Sequence, residues 1–546
     1  MKQLVISSLL LLALCEAYSF AKVNTESLNF IEQKQDVYFG CFGFPLEIVR
    51  TYNSQSTIVS GFGKGWTYNY NIRLQDRDGY IRVFEADGFL ASYIPEKYSD
   101  LNREENINEI IKKIIAEEKK AHKLRTKEGY KELSELLKRD YSKYEGMRNQ
   151  YLIKTGKTTK GKYISTARGI TDLFKTDNGY VRTNVLGVKE FFDNDGRLIR
   201  TKDAYDNALS LEYFTNKIVV TDACKRKLTI NVDEDRKIKS LVDHKGRKLE
   251  YQYYKDGQLG KVIDFDNSSL TYKYDKKQRL ESIVYPKKDK KAQAESVKII
   301  YGEYNRVKEI QGPGDKVTTY ERTVYPKNKR NFKMLIRDNK GTWEEYNYIK
   351  DEHKTIKTYK DGTKEITLLD PASDRPTKYT NRKNETVYHE YDARGNRIRT
   401  TNSNGAITEF TYPNNRLTDI IKSNGQKITY TFNTKGDVVG AKLIDITTPQ
   451  KKILKELVIV LNERGKKRLY DDKQGNNISM DYDSYGNMTK LEKLGVGKLV
   501  YSYDSLGNEL SRKFVQDTNY KEKLTMEELR SIISSSIAEL MTLLEY

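Results

Sequence analysis

The chain has 546 residues, a formal net charge of +20, 41 Tyr and three Cys. Its charges are spread along the sequence with no recognisable groove-binding module, which excludes nucleic acid as the expected partner. Beyond the first residues, no apolar run is long enough to cross a membrane as a helix.

In chain order, residues 1–21 carry Lys2, an apolar run from Leu4 to Leu14, and Ser19-Phe20-Ala21. This is the pattern of a secretory signal peptide with cleavage expected after Ala21, and its apolar core is too short for a stable span. Leu12-Ala13-Leu14 ahead of Cys15 has the position of a lipidation site, but Leu14 is large where a small residue is normal. The expected product is therefore exported and soluble, or held at a surface by a partner. Residues 22–99 read as a β region, and residues 100–150 break that pattern. Ile107, Ile110, Ile111, Ile114 and Ile115 form an apolar helical stripe, with Asn102 and Glu105 as its capping box. Tyr130, Leu133, Leu137, Tyr141 and Tyr144 form a second stripe. Two helices joined near Thr126 predict an inserted helical hairpin, acting as a brace on the sheet or as a handle for a partner. The β region resumes over residues 151–189.

Residues 190–515 carry a turn signal, Tyr/Phe-Asp-x-x-Gly-Arg/Asn, that returns about every 21 residues in about 14 units. Clear copies are Phe192-Asp193-Asn194-Asp195-Gly196-Arg197, Tyr391-Asp392-Ala393-Arg394-Gly395-Asn396, Tyr482-Asp483-Ser484-Tyr485-Gly486-Asn487 and Tyr503-Asp504-Ser505-Leu506-Gly507-Asn508. Asp at the first turn position bonds the turn backbone, and Gly at the fourth accepts positive φ. A simpler turn falls between copies, at Asp361-Gly362, Asn404-Gly405 and Asn424-Gly425. Between turns the residues alternate, as in Leu270, Tyr272 and Tyr274 or Leu499, Tyr501 and Tyr503. Period-two alternation between regular turns predicts a long antiparallel meander, one hairpin per repeat. The recurrent tyrosines are expected to pack across strands, with a binding platform as the alternative. In Tyr274-Asp275-Lys276-Lys277-Gln278-Arg279 the glycine has become Gln278. Residues 516–546 close with the capping box Thr525-Met526-Glu527-Glu528 and a stripe of Leu529, Ile532, Ile533, Ile537, Leu540 and Leu544.

These repeats resemble the YD repeats of Rhs-family proteins, of Tc-toxin shell components and of the teneurin barrel. Pro45-Leu46-Glu47-Ile48-Val49-Arg50-Thr51-Tyr52-Asn53-Ser54, followed by Gly61-Phe62-Gly63-Lys64-Gly65-Trp66, is similar to the domain that opens bacterial Rhs proteins. The resemblance implies a mainly β protein: antiparallel hairpin repeats in a curved or spiral shell-like sheet, with the inserted helical hairpin and a C-terminal helix. It also implies surface interaction, interbacterial competition or toxin encapsulation. Toxin-bearing relatives carry a self-cleavage element rich in Asp-Pro and an effector domain. Here Asp370-Pro371 is the only Asp-Pro pair and lies in mid-repeat, so neither is expected. The number of hairpins predicts a sheet with an exposed edge and not a sealed container.

No catalytic, cofactor-binding or metal residue is expected. His122, His244, His353 and His389 are isolated from ligand-spaced partners, and no nucleophile elbow or phosphate loop is present. Gly43, Gly61, Gly63 and Gly65 lack the Lys-Ser/Thr and helix of a nucleotide site. Asp471-Asp472 point to opposite faces of a strand, and Asp233-Glu234-Asp235 runs into Arg236, so turn chemistry accounts for both. Cys41 and Cys224 form one disulfide or remain two buried inert thiols. The expected protein is an exported, non-enzymatic YD-repeat scaffold that encloses or displays an unidentified partner. The alternatives are a module for cell-surface glycan or polyanion, and a partial shell carrying a separately encoded effector.

Overall fold

The computed structural model describes residues 22–99, 103–121, 126–165, 171–184, 186–287, 294–371, 373–392 and 394–544. The expected signal peptide and the Asn102 cap lie outside them.

The repeat turns that keep the motif are each built by one aspartate. Asp193 Oδ1 accepts the backbone N–H of Arg197 at 2.8 Å, and its Oδ2 accepts Arg197 Nε at 2.7 Å. Gly196 closes the turn with φ +75°, donating its N–H to the Asp193 carbonyl. Asp243 with Arg247 and Asp275 with Arg279 repeat this, and asparagine replaces arginine in Asp483 with Asn487 and Asp504 with Asn508. The tyrosine ahead of the aspartate sits at a β-bulge, as at Lys273/Tyr274 and Ser502/Tyr503. From there its hydroxyl reaches back across strands to a carbonyl 15 residues earlier: Tyr274 to Leu259, Tyr391 to Pro376, Tyr482 to Lys467 and Tyr503 to Met488, all at 2.8–2.9 Å. The bond satisfies a phenol that is otherwise packed in apolar surroundings.

Stacked in this way, the hairpins make one antiparallel sheet of 36 strands, from Arg73–Asp76 to Glu509–Gln516, each strand paired with its neighbour in sequence. The sheet is not closed. Its first strand instead leans on the turn at Asp193–Arg197, where Leu74 N–H donates to the Gly196 carbonyl and Arg73 bridges to Arg197. The sheet thus curls back on itself. Distant turns meet as well: the Tyr205 hydroxyl donates to Asp437 at 2.6 Å, and Arg464 Nε to Asn207 at 3.0 Å.

Two pieces of the chain cover the inner face. A four-stranded sheet that includes Phe30–Phe39, Leu46–Asn53 and Trp66–Tyr68 packs on the inward residues of repeats from Leu198 to Val307. At its centre Arg50 is fully buried against Asp36 (2.8 Å) and ringed by Phe62, Trp66, Tyr251 and Tyr272 at 5.2–5.6 Å. Ion pairing plus cation–π contact offsets the cost of burying that charge. A disulfide between Cys41 and Cys224 ties this sheet to a repeat turn, deciding between the two readings of the cysteines.

The second cover is the C-terminal helix. Helices α1 (Arg103–Ala121), α2 (Lys127–Arg139) and α3 (Tyr141–Thr155) form the insertion. A two-helix hairpin ending at residue 150 was the expectation. Asp140 splits the second stripe because its side chain caps the next helix, accepting Lys143 N–H at 3.0 Å. The helices share a small core of Ile110, Ile111, Ile114, Leu133, Leu137 and Tyr144, and Leu152 packs on Tyr80 and Ile94 of the β region, as a brace would. Helix α4 (Met526–Met541) begins with the anticipated Thr525–Glu528 capping box. It buries Leu529, Ile533, Ile537, Leu540 and Met541 against the inward face of repeats from Phe410 to Tyr501.

Candidate functional site

Between the two covers lies a stretch of inner face that nothing in the described chain covers. Cross-strand register identifies its residues, because directly opposed residues share a face. Met334 opposes Tyr346, Tyr346 opposes Lys357, Lys357 opposes Glu365, and Thr367 opposes Tyr379. The row continues through Val387, His389, Thr400 and Thr408 to Phe410, where the core begins again. Among the described residues, none between Tyr348 and Phe410 is buried.

The chemistry of this wall follows from its composition. Lys357 Nζ pairs with Glu344 Oε1 at 2.9 Å, and the Tyr346 hydroxyl donates to Glu344 Oε2 at 2.9 Å. Lys357 lies 5.3 Å from the centre of the Tyr346 ring and 4.4 Å from that of Tyr359. Partial burial works against the lysine charge, but Glu344 and the hydroxyls of Tyr359 and Tyr346 outweigh it and raise its pKa. Tyr346 stacks with Tyr348, which stacks with Phe332. His389 contacts Thr400 Oγ1 at 3.1 Å, and burial followed by the nearby Arg397 lowers its pKa, so its neutral form is favoured. Half-buried rings flanked by ion pairs make a surface suited to holding a polar, ring-bearing or polypeptide surface.

The residues singled out in the sequence are dispersed. His122 lies outside the described residues; His244 edges onto Phe39 and approaches the Ser505 carbonyl; His353 occupies a left-handed helix end. Asp471 and Asp472 accept the backbone N–H groups of Lys473 and Gln474, and Asp233 accepts that of Lys237, as turn residues do. Gly63, at φ +100°, lets its loop sit against Gly257 and Gln258. Cys41, Asp222 and Cys224 cluster as metal ligands would, but both sulfurs are in the disulfide and Asp222 is held by Arg226. The inner wall was not anticipated; its signal is the run of alternating Tyr, Lys and Glu where other repeats alternate with Leu, Ile and Val.

The stripe on α4 is spent on its own sheet, with the Tyr430 hydroxyl donating to the Leu543 carbonyl at 2.9 Å. The alternative of a separately encoded effector therefore cannot use this apolar face for docking, because it is buried on its own sheet.

Fold and turns together define a β-shell repeat protein, one antiparallel sheet wound around its own plugs. Residues 391–427 match the RHS repeat family, and residues 22–93 match a family described as a domain of unknown function, DUF6531. These matches, over part of the chain, support an Rhs-type YD-repeat protein. Comparison with curated proteins finds no sequence match. Among solved structures, the Photorhabdus luminescens Tc holotoxin pore is 10% identical over 90% of this chain and 26% of its own, with a TM-score of 0.43. TcdB2–TccC3 without its hypervariable C-terminal region is 11% identical over 90% and 26%, with a TM-score of 0.44. The complex TcdB2–TccC3–Cdc42 is 11% identical over 90% and 27%, with a TM-score of 0.43. The chain thus spans about a quarter of the length of those chains. No helix among the described residues is long and apolar enough to cross a membrane.

Proposed function

We propose that the protein is an exported, non-enzymatic shell scaffold whose inner wall, uncovered from Tyr346 to Thr408 apart from the buried Tyr348, contacts a polypeptide partner. One observation supports this above others. The same inner face is apolar and covered on both sides of this stretch, yet polar, tyrosine-bearing and bare within it. Half-buried tyrosine rings set among ion pairs and left uncovered in a row are the composition of a surface that buries against a partner.

The test is recovery of the mature, tagged protein from its native host by size exclusion with light scattering and mass spectrometry. Wild type is expected to carry a second polypeptide, and the triple variant Tyr346→Ala, Tyr359→Ala, Tyr379→Ala to lose it at unchanged expression. Recovery of the same partner in equal yield by the triple variant would sink the reading.

A glycan is the second reading, favoured by the rings of Tyr346 and Tyr359 beside Lys357. A partner-free monomer that binds immobilised glycans, with loss of binding in the triple variant, would replace the first reading by this one.

A further inference from the structure

The turn between the strands Ser296–Tyr301 and Val307–Gly312 is a degenerate copy of the repeat motif, Tyr301-Gly302-Glu303-Tyr304-Asn305-Arg306-Val307. Gly302 stands where the motif has aspartate, and Asn305, at φ +58°, stands where it has glycine. In intact copies the aspartate neutralises the arginine four residues on: Asp193 with Arg197, Asp222 with Arg226, Asp243 with Arg247, Asp275 with Arg279. Arg306 keeps the arginine and has lost its partner; its guanidinium lies 5.1 Å from the exposed Tyr304 ring.

That orphaned arginine opens into a cavity of about 540 Å³ under Leu28 of the N-terminal segment. Arg322, Lys308 and Lys329 line the same cavity, against the single carboxylate of Glu303. No ion pair engages any of these four cations among the described residues. Arg322 is held in place by Phe332, with its guanidinium 3.9 Å from the ring centre, and its buried Nε has no hydrogen-bond partner. Burial and the neighbouring Arg306 both lower the Arg322 pKa, the mark of like charges held together without a counter-ion. Guanidinium groups suit tetrahedral oxyanions, because their planar forks donate two hydrogen bonds at once. The cavity exceeds the size of a bare oxyanion, and the rings of Tyr304, Tyr320 and Tyr325 line the remainder.

We infer that this cavity is a binding site for a phosphate or sulfate group carried on a saccharide unit, formed by Arg306 and Arg322 where the repeat lost its aspartate. The site adjoins the bare inner wall, because Arg322 opposes Met334 and Met334 opposes Tyr346, but it does not depend on what that wall holds.

Restoring the lost residue tests it. Gly302 has φ −94°, and a Cβ there would meet nothing nearer than 3.9 Å, so Gly302→Asp fits without strain and returns a partner to Arg306. Thermal unfolding of the full mature chain is followed with glucose 6-phosphate, glucose and inorganic phosphate at matched ionic strength. Glucose 6-phosphate is expected to raise Tm saturably where glucose does not. Gly302→Asp and, independently, Arg322→Gln should each weaken apparent affinity at least tenfold, with ligand-free Tm equal to or above wild type. No rise in wild type, or a rise undiminished in both variants, overturns the site. Inorganic phosphate matching glucose 6-phosphate overturns the saccharide part of the inference.

Discussion

Two stretches of one sheet, built from the same hairpin, meet opposite fates. From Leu198 to Val307 the inward residues are Leu, Ile, Val and Tyr, buried beneath the N-terminal sheet. From Trp343 to Thr408 the inward residues include Glu344, Tyr346, Tyr348, Lys357, Glu365, Tyr379 and His389, and of these only Tyr348, at the edge, is buried. The outward turns differ little between the two, since Asp392 bonds Asn396 as Asp275 bonds Arg279. The lesson is that hairpin geometry and inner-face chemistry are separable. Turns specify the sheet, and the inward side chains then specify whether the chain itself or something else covers it.

The largest effect should come from equivalent truncations on the two stretches. Tyr272 is fully buried, accepts Arg50 Nη1 at 3.1 Å and edges onto Trp66, so Tyr272→Ala should cost about 3–5 kcal/mol in denaturant unfolding. Tyr359 on the bare wall supports Lys357 through its ring and hydroxyl and Arg382 through its ring, and Tyr359→Ala should cost about 1 kcal/mol or less. Equal losses would mean that the wall is covered in solution and would break the comparison.

Second in size is a pH effect confined to the covered stretch. Glu32 is fully buried in the N-terminal sheet, and burial pushes its pKa from 4.5 to about 7, with Lys34, Arg50 and Tyr285 offsetting part of the cost. Below 4.5 the carboxyl is protonated in both folded and unfolded chains. As pH rises through 7 the unfolded chain has released the proton that the folded chain holds, so stability falls by about 3 kcal/mol across that window. Glu32→Gln should flatten this part of the stability profile, measured by denaturant titration at pH 4.5, 6 and 8. An unchanged slope would show that Glu32 is not the titrating group.

The smallest effect concerns the turns that both stretches share. Gln278 adopts φ +60° where intact repeats have glycine. Gln278→Gly should relieve that left-handed conformation and raise stability by about 1 kcal/mol. A loss of stability in thermal unfolding would mean that side-chain contacts of Gln278 outweigh its backbone cost.

Much of the fold was legible because its determinants are local. Asp193, Gly196 and Arg197 bond one another within five residues, so their spacing in the sequence is their spacing in space. The same holds for Thr525 and Glu528, whose capping box was readable before the helix was seen. The third helix of the insertion was missed because Tyr130 to Tyr144 were read as one stripe on one helix, and Asp140 between them was not read as a cap.

The candidate wall was not legible in the same way. Alternating Tyr and Lys on a strand reads identically whether the ring faces a plug, a partner or water. Sequence alone determined the hairpin, its turn chemistry, the repeat count and the amphipathic end helix, since each rests on hydrogen bonds or periodicity within a few residues. Tertiary structure alone decided that Cys41 meets Cys224 across 183 residues, that α4 faces its own sheet, and that one stretch of inner face stays bare. Those outcomes depend on which distant surfaces meet, and hydrophobic burial is non-directional, so it leaves no local mark of the partner it will find.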